Sequence, residues 1–438
     1  MPRIPDWSTL DAAARYRMQA AARTRARALE PALNAFARIE PTPSPRSFDG
    51  PLGGLPYAAK DMLRTPSHRP GCGLVDGPLV VENSDVLERL DAAGGDLIGF
   101  TNMTELAYEP SGFNATRGRV RNPWNPECVS GGSSSGSAAV VASGTVVAAL
   151  GSDTAGSLRI PAHACGVTAW KPTHALVSLR GAMPLAPTLD TLGLLARSAD
   201  DMMPLAAIMA ELPPSSGIAH AAVLEDVVAE CSPAVRRVVV DAVAALAGCG
   251  VAIERRQGSA AIEAIDCHAL IVIQGESARV HRARLADASL AAMLRRRLAK
   301  GLDISDAALA ESVRARAKLV IDFGQQVLAG NDAAVLPVMA IPTPSAAECD
   351  PASERFSPRT LYALSRFTRF VNMLGFPAVA LPAGFDDRGM PVAIQIVGRV
   401  GSDRALLDLV RQVQSSTDWH GRIPAAIGHL VPELESLR

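Results

Sequence analysis

The stretch from Gly50 to about Asp201 constrains this chain most: short apolar runs suited to strands alternate with glycine-rich turns and with helices built of small residues. Small residues let the backbone turn sharply and let segments approach closely, so this stretch asks for a tightly packed, turn-rich body. The same texture resumes after Asn331, in Val335–Ile341, in Phe376–Leu381, in the turn at Asp386–Gly389 and in the strand-like Val392–Val397. These segments read as a return to the sheet. Between the two parts, residues 202–330 are dominated by Ala, Leu and Arg, with helical periodicity and only brief strand signals such as Ala269–Ile273.

At 438 residues the chain has room for up to three domains, although large α/β enzymes often build one. Residues 8–39 are rich in Ala, Arg and Leu, with Ser8 placed to cap a helix and Asp11 in a capping-box position. Arg15, Arg17, Arg23, Arg25 and Arg27 read as a solvated helix face, and so do Arg295, Arg296 and Arg297. A proline-rich link, Pro41–Pro45, leads out of the first helix.

Apolar residues make up 48% and charged residues 20%, and 43 Lys+Arg against 44 Asp+Glu leave a formal charge of −1. That excludes intrinsic disorder and argues against a chain-wide preference for nucleic acid or an anionic membrane. The longest nearly apolar run, Ala138–Leu150, is interrupted by Ser143, Gly144 and Thr145, and is shorter than the ~18–20 residues of a spanning helix. Met1–Trp7 has no basic stretch followed by an apolar one, so a cytoplasmic address is expected. The seven cysteines, at 72, 128, 165, 231, 249, 267 and 349, are scattered and include no Cys-x-x-Cys pair. They read as reduced thiols, not as a disulfide framework or a zinc site.

Chemistry concentrates between Lys60 and Arg159. Ser130-Gly-Gly-Ser-Ser-Ser-Gly-Ser137 precedes an Ala/Val helix, and Gly151-Ser-Asp-Thr-Ala-Gly-Ser-Leu-Arg-Ile-Pro161 follows it. Three mechanisms compete for this centre. A phosphate cradle fits the separation of Gly131 and Gly136 but lacks a lysine at position 137. A nucleophile elbow fits Gly132-x-Ser-x-Gly136, but it needs a strand before it and a histidine downstream, and none of His163, His174, His220, His268, His281, His420 and His429 lies at a strand end. The third uses no histidine: a desolvated lysine, its pKa pulled from about 10.4 toward neutrality, takes a proton from a serine. Lys60 closes the short apolar segment Leu55–Ala59, where burial is expected.

Together with Gly50–Asp61, Thr101–Glu105, Arg121–Asn125, Trp170–Pro172, Leu189–Thr191, Leu381–Phe385 and Gln395–Arg399, these loops resemble the amidase signature family. The match covers residues 50–201 and 335–410, a little over half the chain, with many motifs in the family's order. The resemblance implies a mixed central β-sheet flanked by helices on both faces. It further implies an N-terminal helical segment, 1–48, and one amidase signature α/β domain, 49–438, with 202–330 as a variable, mainly helical flank or lid. Carried over position by position, it implies a Ser-cisSer-Lys triad: Ser157 as nucleophile, Ser133 as bridging serine on a cis peptide bond, and Lys60 as base. Backbone N–H groups of Thr154, Ala155, Gly156 and Ser157 would form the oxyanion hole.

Ser134, Asp153 and Arg159 take supporting positions, with Arg159 open to either of two roles, a structural ion pair or a reader of a substrate carboxylate. Structural roles are expected for Glu105 and Tyr108. Two departures stand out. Ala155 replaces the family's usual glycine, which puts the hole's geometry in question if residue 155 needs positive φ. Ser135 also replaces a frequent glycine, as it does in shorter members.

The implied function is an amidohydrolase that cleaves the C–N bond of a carboxamide, or a related carbamate or ester, through an acyl-enzyme. It implies no metal or organic cofactor, a small-molecule amide or carbamate substrate, no nucleic-acid or membrane partner, and leaves a homodimer open. Two alternatives remain. One is the amidase subunit of a glutamine-dependent transamidation complex, against which the chain's length and Ala155 weigh. The other is a non-catalytic binding paralogue, against which the joint presence of Lys60, Ser133 and Ser157 weighs.

Overall fold

The computed structural model describes residues 7, 9–43, 50–425 and 427. Its strands in chain order are β1 (Phe36–Ile39), β2 (Pro56–Lys60), β3 (Asp96–Thr101), β4 (Ala148–Asp153), β5 (Thr168–Lys171) and β6 (Thr191–Ala196). After these come β7 (His220–Leu224), β8 (Ala252–Arg256), β9 (Ala333–Pro337), β10 (Ala378–Phe385) and β11 (Pro391–Gly398). They form one mixed sheet in the order β1-β3-β2-β4-β6-β5-β10-β11-β9-β7-β8. β3, β2 and β4 run parallel at one side, β9, β7 and β8 run parallel at the other, and the strands between them pair antiparallel.

Successive residues of a strand face opposite sides of a sheet, and here both sides are apolar. Ala58, Ala149, Ala169, Leu195 and Ala380 join one hydrophobic cluster with Ala22, Ala26 and Leu29 of the helix Ala12–Leu33 and with Ala138–Ala142 of the helix Ser135–Ala142. Tyr57, Ala59, Leu150, Trp170 and Leu194 join the other, with Val235 and Val238 of the helix Pro233–Gly248 and Leu406 and Val410 of the helix Asp403–Ser415. Helices therefore cover both faces, as the family resemblance implies. All eight residues of Ser135–Ala142 are buried, which only a helix of Ser, Gly, Ala and Val permits so close to a sheet.

The first helix differs from expectation in two ways. Its cap is Asp11, whose carboxylate accepts the Ala14 N–H at 2.7 Å, while Ser8 lies outside the described residues. Arg23 is not on a solvated face: it is 3% exposed and grips Asp96 of β3 through two hydrogen bonds, 2.7 and 2.8 Å. The bidentate fit of guanidinium to carboxylate offsets the cost of burying both charges, and it pins the helix to the sheet. Residues 1–48 also contribute a strand, because β1 pairs antiparallel with β3. Residues 202–330 contain β7, β8 and several helices, among them Ser259–Val280 and Ala292–Gly301. All seven cysteines are free, and five of them are buried. Among the described residues no helix is long and apolar enough to cross a membrane.

Candidate active site

Parallel pairing carries β2 and β4 side by side to the same edge of the sheet, so Lys60 at the end of one comes to lie beside Ser152 and Asp153 at the end of the other. The two serine-glycine loops meet there. The Gly132–Ser133 peptide is cis. The Ser134 N–H donates to the carbonyl of Ser157 at 3.2 Å, and the Ser134 hydroxyl donates to the Ser152 carbonyl at 3.1 Å, which stitches the first loop to the second. Lys60 Nζ donates to Ser133 Oγ at 2.6 Å and to Ser152 Oγ at 2.8 Å. Lys60 and Ser133 are wholly buried, whereas Ser157 retains 8% exposure and faces a cavity. Lys60 and Ser133 are thus both enclosed, and of the three residues only Ser157 borders the cavity.

Burial lowers the Lys60 pKa from 10.5 to about 7, against the opposing pull of Asp153, Asp190 and Cys72. A neutral amine near pH 7 has a lone pair for the Ser133 proton. Asp153 is also buried, and burial alone would raise its pKa, but the ion pair and hydrogen bonds with Arg159, helped by Lys171 and Asn372, hold it at about 2. Arg159 itself is fully enclosed. It donates to Asp153, to Gln395 at 2.9 Å, to the Thr368 carbonyl at 3.0 Å and to Asn372 at 2.7 Å, so it has no face left for a substrate. Of the two roles open to it, the structure supports the structural pair.

The loop after β4 corrects two expectations. The left-handed residue is Gly156, at φ +121°, and not Ala155, which lies outside that region. A Cβ on Gly156 would sit 2.2 Å from Thr368 Oγ1, so glycine is required there, while Ala155 carries its methyl without backbone strain. The Gly156 N–H does not face the cavity either. It donates to Asp153 Oδ1 at 2.7 Å, a charge-assisted bond that takes it out of the set of four amides expected for the oxyanion hole. Among the described residues, the N–H groups of Thr154, Ala155 and Ser157 have no acceptor. Thr368 completes the turn by donating to the Ala155 carbonyl at 2.5 Å.

Sequence reasoning missed several of these partners. Asp190 accepts the Thr154 hydroxyl at 2.6 Å and the N–H groups of Leu185 and Ala186, and burial raises its pKa. It stands in the Leu189–Thr191 motif, which carried the signal without a role. Ser152 was visible as the residue before Asp153. Thr368, Asn372 and Gln395 come from far along the chain, and nothing in their local sequence points to the site. Tyr108, expected to be structural, lines the cavity, and Arg297, expected on a solvated face, does so too. The elbow reading is not supported: Ser134 spends its hydroxyl on the β4 backbone, and among the described residues no histidine hydrogen-bonds to it.

The cavity holds about 360 Å³. The loop residues Thr154, Ala155 and Ser157 form one wall, and Leu270, Ile273 and Gln274 of the helix Ser259–Val280 form another. The arrangement sets a buried amine against the Ser133 hydroxyl and leaves the Ser157 hydroxyl beside the cavity. The family described as Amidase matches residues 10–407, and the chain belongs to the amidase family.

Among its relatives, a glutamyl-tRNA(Gln) amidotransferase chain from Methylococcus capsulatus is 31% identical over 91% of this chain and 93% of its own length. A crystal structure of an amidase superposes with a TM-score of 0.82 at 28% identity, covering 94% of this chain and 97% of the other. The corresponding glutamyl-tRNA(Gln) amidotransferase chain from Thermotoga maritima gives 0.83 at 26% identity and 97% coverage of each chain. The chain is an amidase acting on a carbon–nitrogen bond.

Proposed function

We propose that this protein hydrolyses a linear carboxamide, with carbamates or esters as related substrates, through an acyl-enzyme on Ser157. Neutral Lys60 accepts the Ser133 proton while Ser133 takes the proton of Ser157, and Ser157 Oγ attacks the carbonyl carbon. The free amides of this loop, from among Thr154, Ala155 and Ser157, hold the oxyanion that forms. Collapse of the tetrahedral adduct breaks the C–N bond, and the amine or ammonia leaves with the proton returned along the same relay. Water then takes the place of Ser157 as nucleophile and releases the acid. The observation that carries this reading is the enclosed Lys60 side chain, its Nζ 2.6 Å from Ser133 and, among the described residues, shared only with Ser152. The enzyme acts in the cytoplasm on a small-molecule substrate.

A fluorophosphonate probe tests it. Modification of Ser157 that vanishes in Lys60→Ala, together with loss of amide turnover in a folded Ser157→Ala variant, is expected. Substantial turnover by Ser157→Ala removes that residue from the nucleophile's role, and an unreactive folded wild type points to a binding paralogue. A second reading, the amidase component of a glutamine-dependent transamidation complex, is favoured by the relatives' names. It predicts glutamine as the amide consumed and a rate that rises when partner proteins are added.

A further inference from the structure

The cavity beside Ser157 has a strongly one-sided charge. Arg297, Lys300 and Arg369 line it, and no aspartate or glutamate does among the described residues. Arg369 is already compensated, because Asp266 accepts from it at 2.6 Å and its guanidinium lies over the Tyr362 ring at 4.3 Å. Arg297 and Lys300 have no ion pair or side-chain hydrogen bond among the described residues. They stand three residues apart on the helix Ala292–Gly301, a spacing that puts both on one face. The alternating residues Leu294, Leu298 and Gly301 are buried and seat that helix; a Cβ on Gly301 would come within 2.3 Å of the Gln274 carbonyl. The cations are therefore held on a fixed support facing the cavity.

Two carboxyls lie on the far side of Arg297, and one of them, Glu109, feels its charge. Glu105 and Glu109 line a smaller cavity that shares Arg297 and Tyr108 with the first. Glu105 accepts from Thr116 and from the Ala291 N–H, and one oxygen of Glu109 accepts from Ser111, Gly112 and Phe113. Neither forms a direct ion pair with Arg297, although the other oxygen of Glu109 is buried without a hydrogen-bond partner and Arg297 favours its charged form. A half-buried guanidinium with no hydrogen-bonded acceptor gives up hydration for little return, unless an anion arrives to meet it. Its planar fork matches a carboxylate, and a lysine at the exposed rim adds attraction during approach.

We propose that Arg297, assisted by Lys300, binds a carboxylate on the substrate, so that the preferred amides carry an anionic group away from the scissile bond. Arg159, the cation nearest the nucleophile in sequence, cannot do this, since its donors are all engaged in the structure. The inference rests on the hydrolase reading and narrows its substrate class.

The test compares the monoamides of succinic, glutaric and adipic acids with neutral amides in which an isopropyl group replaces the carboxylate. For at least one chain length, the ratio of kcat/KM between the anionic amide and its neutral counterpart is expected to exceed about 10, mostly through KM. That ratio should fall about 10- to 100-fold in Arg297→Ala, be partly restored in Arg297→Lys, and fall less in Lys300→Ala. A wild type that favours the neutral amides at every length overturns the proposal, and so does a preference that survives Arg297→Ala in a protein of unchanged thermal unfolding. Ser157 labelling by the fluorophosphonate separates the two levels. Intact labelling without anionic preference overturns the carboxylate site alone, whereas absent labelling and absent turnover overturn the hydrolase reading and this one with it.

Discussion

Two strands of the sheet end in a buried lysine, and the two ends differ in one respect that matters. Lys60 closes β2 and Lys171 closes β5; neither has any exposed surface, and burial lowers both pKa values from 10.5 to about 7. Lys60 Nζ meets two serine hydroxyls, while Lys171 Nζ donates to the carbonyl of Pro172 at 2.9 Å. A hydroxyl can give up a proton and take another; a carbonyl only accepts a hydrogen bond. Desolvation therefore makes both amines basic in the useful range, but only Lys60 has a proton donor against it and an open loop beyond that donor. A depressed lysine pKa marks a candidate base, and the partner decides whether it becomes one.

The sharpest way to break this comparison is to remove each amine in turn. Lys60→Met should lower kcat about 1,000-fold, within the usual range for loss of a general base. Lys171→Met should leave kcat within about tenfold of the wild type, and its main cost is the Pro172 carbonyl left without a donor, about 1 kcal/mol of stability in chemical denaturation. Equal losses of kcat in the two variants would mean that Lys171 supports catalysis as much as Lys60 does and that the partner argument is mistaken.

A pH profile sharpens the same point with a smaller effect. The active form of Lys60 is the neutral amine, so kcat/KM should rise about tenfold per pH unit below about 7 and level off above it. A rate that falls as pH rises through 7 requires a protonated lysine and reverses the proposed direction of transfer. Stability moves in the same sense. Between about 7 and 10.5 the unfolded chain binds protons at both lysines that the folded chain does not, so this pair makes the fold more stable as pH increases over that window.

What the sequence disclosed about this region follows from how local each feature is. The strand-like runs, the paired serine loops and the lysine at the end of an apolar run are all written in contiguous residues, and the structure brings Lys60 to Ser133 directly. The enclosing partners are not contiguous. Arg159 is fixed by Asn372 and Gln395, more than 200 residues away, and no period or composition announces that contact. Arg23 and Arg297 show the same limit at the surface: arginine-rich helices read as solvated until the neighbours that cover them are known, because the stem of an arginine packs as readily on apolar surface as it extends into water.

The smallest expected effect concerns the loop that differs from the family's usual sequence. Ala155 does not occupy the left-handed region, so glycine there gains no conformation the turn requires; Gly156 already supplies it. The methyl of Ala155 is half-buried and borders the cavity beside Ser157. Ala155→Gly should therefore enlarge that space slightly and loosen the free chain, shifting Tm down by about 1 °C and kcat/KM by no more than about threefold for small amides. Bulkier acyl groups should gain relative to small ones, since the space released lies against the nucleophile. Complete loss of activity with retained Tm would show that the methyl positions the Ala155 amide itself, and the oxyanion hole would then depend on a side chain that the turn geometry alone does not require.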